Sequence, residues 1–282
     1  MWSDLKKRIT CWTKCEPSLV TRRRLRAWFT HLPGRWLQAE ERAQLRAILP
    51  TLFGYHLLQL GDVYSKDCLT STRIPHCMVL DEWLQDMPPA GECARNEIRG
   101  SLEWLPIATD SLDTVVMPHT LEFTNDPHQV LREVDRVLIP EGHVVILAFN
   151  PWSLWMIWRM VLCWSGKPPW CGRFISQARL KDWLQLLGFD IVDARRYFFR
   201  PPLSHKGLMQ RLRFLDRIGR RWVPFFGAGY VVVARKRVAT LTPIKPRWRP
   251  VRQPIASAEL AGNSRTLGKK YIVDGKMSGE IR

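Results

Sequence analysis

The sequence lacks a long hydrophobic run. Its most apolar stretch, residues 151–164, is about fourteen residues long and contains Arg159, whereas a membrane-spanning helix needs roughly 20 apolar residues. The stretch therefore predicts a core or lid helix, with a helix at a membrane interface as the alternative. The first ten residues carry charges where a signal peptide would be apolar, and we expect a cytoplasmic protein.

Acidic residues are also scarce. The 282 residues include 43 Lys and Arg against 26 Asp and Glu, which gives a formal net charge of +17. Residues 1–50 carry +7 of this excess and residues 238–282 carry +6, so the middle of the chain is nearly balanced. Such flanks favour contact with nucleic acid, an anionic membrane surface or an acidic partner, or they simply keep the chain in solution.

The cysteine spacing excludes the common metal sites. None of the seven cysteines forms a Cys-x2-Cys pair, and the closest two are Cys11 and Cys15. We therefore predict no metal site. The other cysteines are scattered and are expected to be buried thiols in a reducing compartment: Cys68, Cys77, Cys93, Cys163 and Cys171.

The sequence motifs of three other enzyme classes are missing too. There is no Gly-x-Gly-x-x-Gly for a dinucleotide and no Gly-x4-Gly-Lys-Ser/Thr for nucleotide phosphates. The chain also has no Gly-x-Ser-x-Gly nucleophile turn. These absences argue against a dehydrogenase, a P-loop enzyme and an α/β-hydrolase.

The clearest pattern lies in residues 110–150 and predicts strand, helix and strand. An apolar run begins at Thr114, as in a strand that is buried on both faces. Asp126 can cap a helix, Pro127 suits its first turn, and Gln129 can complete a capping box. A second apolar strand follows, so the unit predicts a parallel pair with a right-handed crossover.

The same alternation continues along the chain and predicts a doubly wound α/β sheet. Ligands in such sheets bind beyond the carboxyl ends of the strands. We expect strands at residues 56–61, 77–81, 97–102, 114–119, 143–149, 189–199 and 229–237.

Composition divides the chain into three parts. The first is basic and helical: Pro33-Gly34 predicts the end of one helical region, and an amphipathic helix follows over residues 36–50. The last is rich in Pro, Arg, Gly and Ser and predicts a disordered tail. The expected parts are the extension 1–50, the domain 51–237 with a Trp-rich insertion at 151–175 and a basic insertion at 201–226, and the tail 238–282.

Three segments have a wording that points to a family. They are LEWLPIATDSLDTVV at residues 102–116, LREVDRVLIPEG at residues 131–142 and LKDWLQLLGFDIV at residues 180–192. Together they resemble the class I S-adenosylmethionine-dependent methyltransferases of the type 11 group. The resemblance covers about residues 57–236, and within the group it favours a small bacterial branch of predicted methyltransferases. It implies a Rossmann-like, seven-stranded, mostly parallel sheet with helices on both faces and an antiparallel last strand. It also implies S-adenosylmethionine as the cofactor.

The resemblance places a cofactor loop after the first strand, where the chain reads LLQLGDVYSKD. It implies contacts from Gln59, Gly61 and Asp62. Gly61 matches the first glycine of the family's loop, but Gln59 replaces its acid, and Val63 and Ser65 replace its other glycines. Glycine lets the backbone approach a ligand closely, so these departures predict weaker or altered cofactor binding.

Further cofactor contacts are implied after the next strands. Asp81 stands where the family has an acid that accepts hydrogen bonds from both ribose hydroxyls, with Glu82 beside it. The alternative for Asp81 is a helix-capping acid. The remaining implied contacts flank the adenine or line the cavity: Ser101, Leu102, Pro118 and His119.

The catalytic residues depend on the acceptor, since a general base is needed only when the acceptor must lose a proton. His119 and Glu122 are weak candidates, and a hydrogen-bonded structural role for His119 is an equal alternative. The Trp-rich and basic insertions are expected to line the substrate side of the cavity. They predict a hydrophobic or aromatic acceptor, with or without an anionic group.

Two functions follow from these observations. The first is an S-adenosylmethionine-dependent methyltransferase of unknown acceptor. The alternative is a catalytically weak or inactive protein of the same fold, which binds nucleic acid or a membrane surface through its basic flanks.

Overall fold

The structure is a computed structural model that describes residues 19–63, 69, 71–82, 96–162, 168–202 and 205–237. Ser65 and the predicted tail lie outside these residues. Among the described residues, no helix is long and apolar enough to cross a membrane. In the same part of the chain, no group of His, Cys, Asp and Glu could hold a metal ion.

The described residues form a seven-stranded sheet in the order β3-β2-β1-β4-β5-β7-β6. Strands β1 to β5 pair in parallel, whereas β7 is antiparallel to both β5 and β6. The predicted Rossmann-like fold is thereby confirmed. The strands are β1 (His56–Leu60), β2 (His76–Asp81), β3 (Asn96–Arg99), β4 (Leu112–Pro118), β5 (Leu138–Phe149), β6 (Phe189–Tyr197) and β7 (Gly229–Lys236).

Strand β5 begins five residues earlier than the apolar run predicted. Leu138 already pairs with Leu112, and the register then shifts so that His143 pairs with Thr114. The intervening turn residues bulge out of the ladder, with Glu141 at a positive φ of 67°. A turn-like sequence that lies between two paired parts of a strand is therefore predicted as a loop, although the residues on both sides of it belong to the sheet.

Seven helices surround the sheet in the described part of the chain. Helix α3 has the predicted cap: the side chain of Asp126 accepts hydrogen bonds from the N–H groups of His128 and Gln129. The capping box predicted for Gln129 is wrong, because the N–H of Asp126 donates to Oε1 of Glu103 instead, at 3.1 Å. The helices are α1 (Leu19–Phe29), α2 (Leu32–Ile48), α3 (Pro127–Val137), α4 (Trp155–Leu162), α5 (Gln177–Leu186), α6 (Lys206–Arg211) and α7 (Arg213–Trp222).

The break between α1 and α2 differs from the prediction. Helix α1 ends at Phe29, and Pro33 and Gly34 lie in the first turn of α2 instead of ending a helix. Proline fits a first turn because its missing N–H would have no partner there. Glycine is needed because a Cβ on Gly34 would lie 2.5 Å from the carbonyl oxygen of Trp28.

Helices cover both faces of the sheet. On one face, Leu37 and Leu45 of α2 are fully buried in a core that includes Val145 and Phe149 of β5. On the other face, apolar residues of α3 and α5 pack against the alternate residues of the same strands. Residues 19–48 therefore share one core with the sheet, while the predicted boundary at residue 50 stays a prediction.

One cysteine departs from the expectation. Cys77 is a half-buried thiol whose Sγ donates to the carbonyl of Ile74 at 3.5 Å, but Cys171 is buried and disulfide-bonded. The prediction of a thiol at Cys171 is wrong because spacing along the chain does not show which segments the fold brings together.

Candidate cofactor site

The carboxyl ends of the parallel strands meet at one edge of the sheet, where ligands of doubly wound folds bind. Gly61 directly follows β1, Asp81 ends β2, and His119 directly follows β4. Strands β1 and β4 are neighbours at the centre of the sheet. The structure thus places the predicted site residues along this edge.

Gly61 holds the loop after β1 close to the neighbouring strands. Its φ is 87°, a left-handed value that favours glycine. Its N–H donates to the carbonyl of Leu80 at 2.8 Å, and a Cβ would lie 3.2 Å from Oγ1 of Thr120. Both the conformation and the space therefore require glycine at this position.

The side chain of Gln59 acts within this loop. It is buried, and its Nε2 donates to the carbonyl of Gly61 at 3.0 Å. The amide thus holds the turn where the family's acid would carry a charge. Val63, which stands for the second glycine, is also buried and belongs to the apolar core beside α1 and α2.

Asp62 joins the loop to two other elements. Its N–H donates to Oδ2 of the buried Asp81 at 2.7 Å. Its own carboxylate forms a salt bridge of 2.9 Å with Arg26 of α1. The N-terminal helix therefore reaches the loop through a charged pair, which the sequence did not indicate.

Three further predicted residues lie together at the ends of β2 and β3. Oε1 of Glu82 lies 3.4 Å from Oγ of Ser101 and 3.5 Å from the N–H of Leu102. These distances are long for hydrogen bonds. The carboxylate therefore lies beside both adenine-flanking positions without being held tightly by either.

His119 lies at the centre of a buried polar network. Its φ is 50°, and its side chain is fully buried. Nδ1 lies 2.9 Å from Oε2 of Glu122, and Nε2 lies 2.9 Å from Oε1 of Glu41 in α2. The hydroxyl of Tyr197 donates to the same oxygen of Glu41 at 3.0 Å.

The surroundings favour a charged His119. Burial lowers the pKa of the imidazole, but Glu41 and Glu122 outweigh this effect and raise the pKa of His119 to about 10. Burial also raises the pKa of Glu122, although His119 opposes that rise. The ring of Phe149 stacks on the imidazole at 4.1 Å between centroids, an arrangement that suits a cation.

This geometry bears on the chemistry open to His119. A protonated imidazole that donates to two glutamates has no lone pair with which to accept a proton. The network also joins α2 to the residue that follows β4. We therefore interpret His119 and Glu122 as residues that position the strand ends.

The sequence contains an indication that Glu41 is buried with a partner, although the apolar periodicity of the helix does not show it. Glu41 falls four residues after Leu37 and four before Leu45, on the apolar face of α2. A charge at such a position needs a buried partner. Tyr197 ends a strand that the sequence did predict, but its partner comes from a distant helix, so no local pattern could indicate it.

The residues at this edge fit S-adenosylmethionine. A glycine with positive φ allows close approach of the loop backbone, and two adjacent carboxylates, Asp81 and Glu82, can accept hydrogen bonds from ribose hydroxyls. Pro118 ends β4 at the centre of the edge, where its backbone can line the cavity. These acceptors and the close backbone thus suit the nucleoside half of the cofactor.

Comparisons with known proteins agree with this geometry. Residues 71–146 match a family model described as a methyltransferase domain, of the type 11 group. The chain is 31% identical over 199 residues to the uncharacterised protein YafS of Escherichia coli, covering 71% of this chain and 75% of that protein. It is 32% identical over 130 residues to the demethylmenaquinone methyltransferase of Chlamydia pneumoniae, covering 39% of this chain and 56% of that enzyme.

Solved structures share the fold. A methyltransferase from Thermotoga maritima aligns with a TM-score of 0.50 at 18% identity, over 75% of this chain and 93% of that one. A chain from the complex of the Trm112 activator and a methyltransferase of Haloferax volcanii aligns with a TM-score of 0.51 at 16% identity. The alignment covers 76% of this chain and 98% of that one.

The fold, the strand-end residues and these matches define an S-adenosylmethionine-dependent methyltransferase. The chain belongs to the class I, type 11 group of that family, in a branch that includes YafS. Its cofactor is S-adenosylmethionine. The alternative of an inactive binding module is not favoured.

Proposed function

We propose that the protein transfers the methyl group of S-adenosylmethionine to an apolar aromatic acceptor. The observation that carries this proposal is the carboxylate of Asp81. It is buried at the end of β2 and held by the N–H of Asp62 at 2.7 Å. A carboxylate placed in this way can receive the ribose hydroxyls without reorganising.

The residues of the chain contribute alignment. Asp81 and Glu82 orient the ribose, and Ser101 and Leu102 flank the adenine. Gly61 lets the backbone of the loop after β1 approach the cofactor closely. S-adenosylmethionine, when bound, supplies a methyl group on a sulfonium that is already activated for in-line displacement. Alignment alone can contribute about 7–11 kcal/mol to such a reaction. A separate base is required only for an acceptor that loses a proton, and we assign none.

The acceptor class is supported by two observations. Trp152 follows β5 at the cofactor edge and is exposed, so an aromatic surface lies beside the strand ends. The relative from Chlamydia pneumoniae is named for the methylation of demethylmenaquinone. Both favour an apolar ring as the acceptor.

Transfer of labelled methyl groups tests this function. Purified protein is incubated with cofactor labelled in its methyl group and with either the organic or the aqueous fraction of a bacterial extract. We expect label in organic-soluble material, loss of that label in Asp81→Asn and its retention in Asp182→Asn. Asp182 is an exposed acid on α5 and serves as the matched control. Label confined to RNA or protein, or no transfer at all, would contradict the proposal.

A further inference from the structure

Helix α7 exposes two rows of side chains to solvent. Residues four apart on a helix are neighbours, so each row is continuous and the two lie side by side. Phe214 is 54% exposed, Ile218 47% and Trp222 77%. The rows are Arg213, Arg217 and Arg221, and next to them Phe214, Ile218 and Trp222.

The opposite face of α7 fixes this orientation. Asp216 accepts a hydrogen bond from the N–H of Phe199 at 2.9 Å and forms a buried salt bridge of 2.6 Å with Arg200. Gly219 lies directly against the ring of Phe199, where a Cβ would meet Cγ at 2.4 Å. Because these contacts prevent rotation of the helix, the apolar row is held in solvent.

The exposed apolar surface continues past the end of α7. The next turn exposes Phe225 and Phe226, which line a shallow pocket together with Trp152. The side chain of Asn150 donates to the carbonyl of Phe225 at 2.7 Å and so holds this turn against the end of β5. The guanidinium of Arg196 lies 5.0 Å from the ring of Phe225. We call α7 and these three aromatic residues the aromatic–basic surface.

We propose that the aromatic–basic surface binds membranes that contain anionic phospholipids. A helix with an apolar row beside a basic row lies in the plane of the interface, with its rings at the level of the headgroups. Each arginine near an anionic leaflet adds attraction, and the whole chain carries a formal charge of +17. The surface therefore matches such a membrane in both apolarity and charge.

Two other occupants fit this surface less well. Single-stranded nucleic acid would stack on the rings, but Ile218 and Val223, which are also exposed, offer no face for stacking. Residues 238–282 carry a formal charge of +6, the same sign as the arginine row, so charge does not favour this segment as the occupant. The proposal does not rest on methyl transfer, because vesicle binding needs no cofactor.

Vesicle flotation with the full-length protein tests the proposal. One set of vesicles is phosphatidylcholine alone, and the other contains about one third phosphatidylglycerol. We expect binding to the anionic set, about tenfold weaker in each of two double variants, Phe214→Ser with Trp222→Ser and Arg213→Glu with Arg217→Glu. Circular dichroism establishes that each variant is folded.

Two exposed residues elsewhere provide matched controls. Leu186 of α5 is 79% exposed, and Arg132 of α3 is exposed, so Leu186→Ser and Arg132→Glu should leave vesicle binding unchanged. The proposal is overturned if the wild-type protein binds neither set of vesicles. It is also overturned if the control substitutions weaken vesicle binding as much as the double variants do. A different occupant would also overturn it. In that case the wild-type protein would bind RNA or self-associate but not bind vesicles, and the double variants would lose that RNA binding or self-association.

Discussion

At the scale of single residues, His119 is the point where the N-terminal helices join the strand ends. It lies between Glu122, which follows β4 closely, and Glu41 of α2, and each ring nitrogen is within 2.9 Å of a carboxylate oxygen. Such a buried ionic network stabilises little relative to an apolar core, but the loss of one partner leaves buried polar groups without their hydrogen bonds. The effect of single substitutions should therefore be large.

Glu41→Ala removes the acceptor of the Tyr197 hydroxyl and one of the two acceptors of His119, whose pair with Glu122 remains. We expect it to lower the free energy of unfolding by about 3–5 kcal/mol, because two buried donors, the hydroxyl of Tyr197 and Nε2–H of His119, are left without that partner. Chemical denaturation measures this change. Glu40→Ala is the control: its half-exposed side chain accepts a hydrogen bond from Gln44 of the same helix at 3.2 Å, and a loss below about 1 kcal/mol is expected. Equal losses in the two variants would contradict the network.

The raised pKa of His119 also predicts a dependence on pH. The pKa is about 10 in the folded protein against an ordinary 6.5, so the stabilisation is complete below about pH 6.5 and declines as pH rises toward 10. One proton changes the free energy of unfolding by up to about 1.4 kcal/mol per pH unit.

The variant His119→Asn isolates this contribution, and asparagine tolerates the positive φ at this position. Between pH 7 and 9 we expect the free energy of unfolding to fall more steeply in the wild-type protein than in the variant. The two slopes should differ by about 1.4 kcal/mol per pH unit, which corresponds to one proton. Denaturation at both pH values measures the difference. Parallel slopes would show that His119 does not stay protonated in the folded protein.

At the scale of elements, the close crossing of α1 and α2 depends on Gly34. Helix propensity favours alanine over glycine by about 1 kcal/mol, yet a Cβ here would lie 2.5 Å and 2.6 Å from the backbone of Trp28 and Phe29. We expect Gly34→Ala to destabilise the protein by about 1–3 kcal/mol, because backbone atoms cannot move aside easily.

Thermal denaturation compares this variant with Gly207→Ala in α6. A Cβ on Gly207 would meet nothing nearer than 3.7 Å, at a side-chain atom of His205, so this change should be neutral or stabilising by up to about 1 kcal/mol. If both variants behaved alike, propensity and not the helix crossing would decide the effect.

The elements differ in how well the sequence predicts them. Asp126 and Pro127 signal the start of α3 locally, and the structure has that start. Pro33 and Gly34 are ambiguous, since the same pair can end a helix or occupy the first turn of the next. Local pattern finds elements whose caps lie in the chain itself, whereas a start that depends on packing against another helix requires the fold.

The same distinction applies to the site. Gly61, Asp81 and Glu82 stand beside their strands, so motif spacing predicts their position at the carboxyl edge of the sheet. Arg26 and Glu41 reach the strand ends from helices that precede the motif, and their roles arise from tertiary contacts. The basic N-terminal segment thus contributes to the site through particular side chains as well as through its net charge.

At the scale of the whole molecule, the cofactor edge and the aromatic–basic surface are connected through the end of β5. Phe149 ends that strand and stacks on His119, while Asn150 directly after it holds Phe225. Under the two proposals, a membrane-bound protein would hold the acceptor side of its site near the lipid. An apolar acceptor dissolved in the membrane would then reach the site without crossing water.

Calorimetric titration with S-adenosylmethionine tests the central claim most directly. We expect the wild-type protein to bind the cofactor in the micromolar range and Asp182→Asn to bind equally well. Asp81→Asn keeps an oxygen for the N–H of Asp62 but loses the charge and one acceptor, so its affinity should fall about 10- to 100-fold, or about 1.4–2.8 kcal/mol. No binding by the wild-type protein up to millimolar cofactor, or equal affinity in Asp81→Asn, would contradict the account.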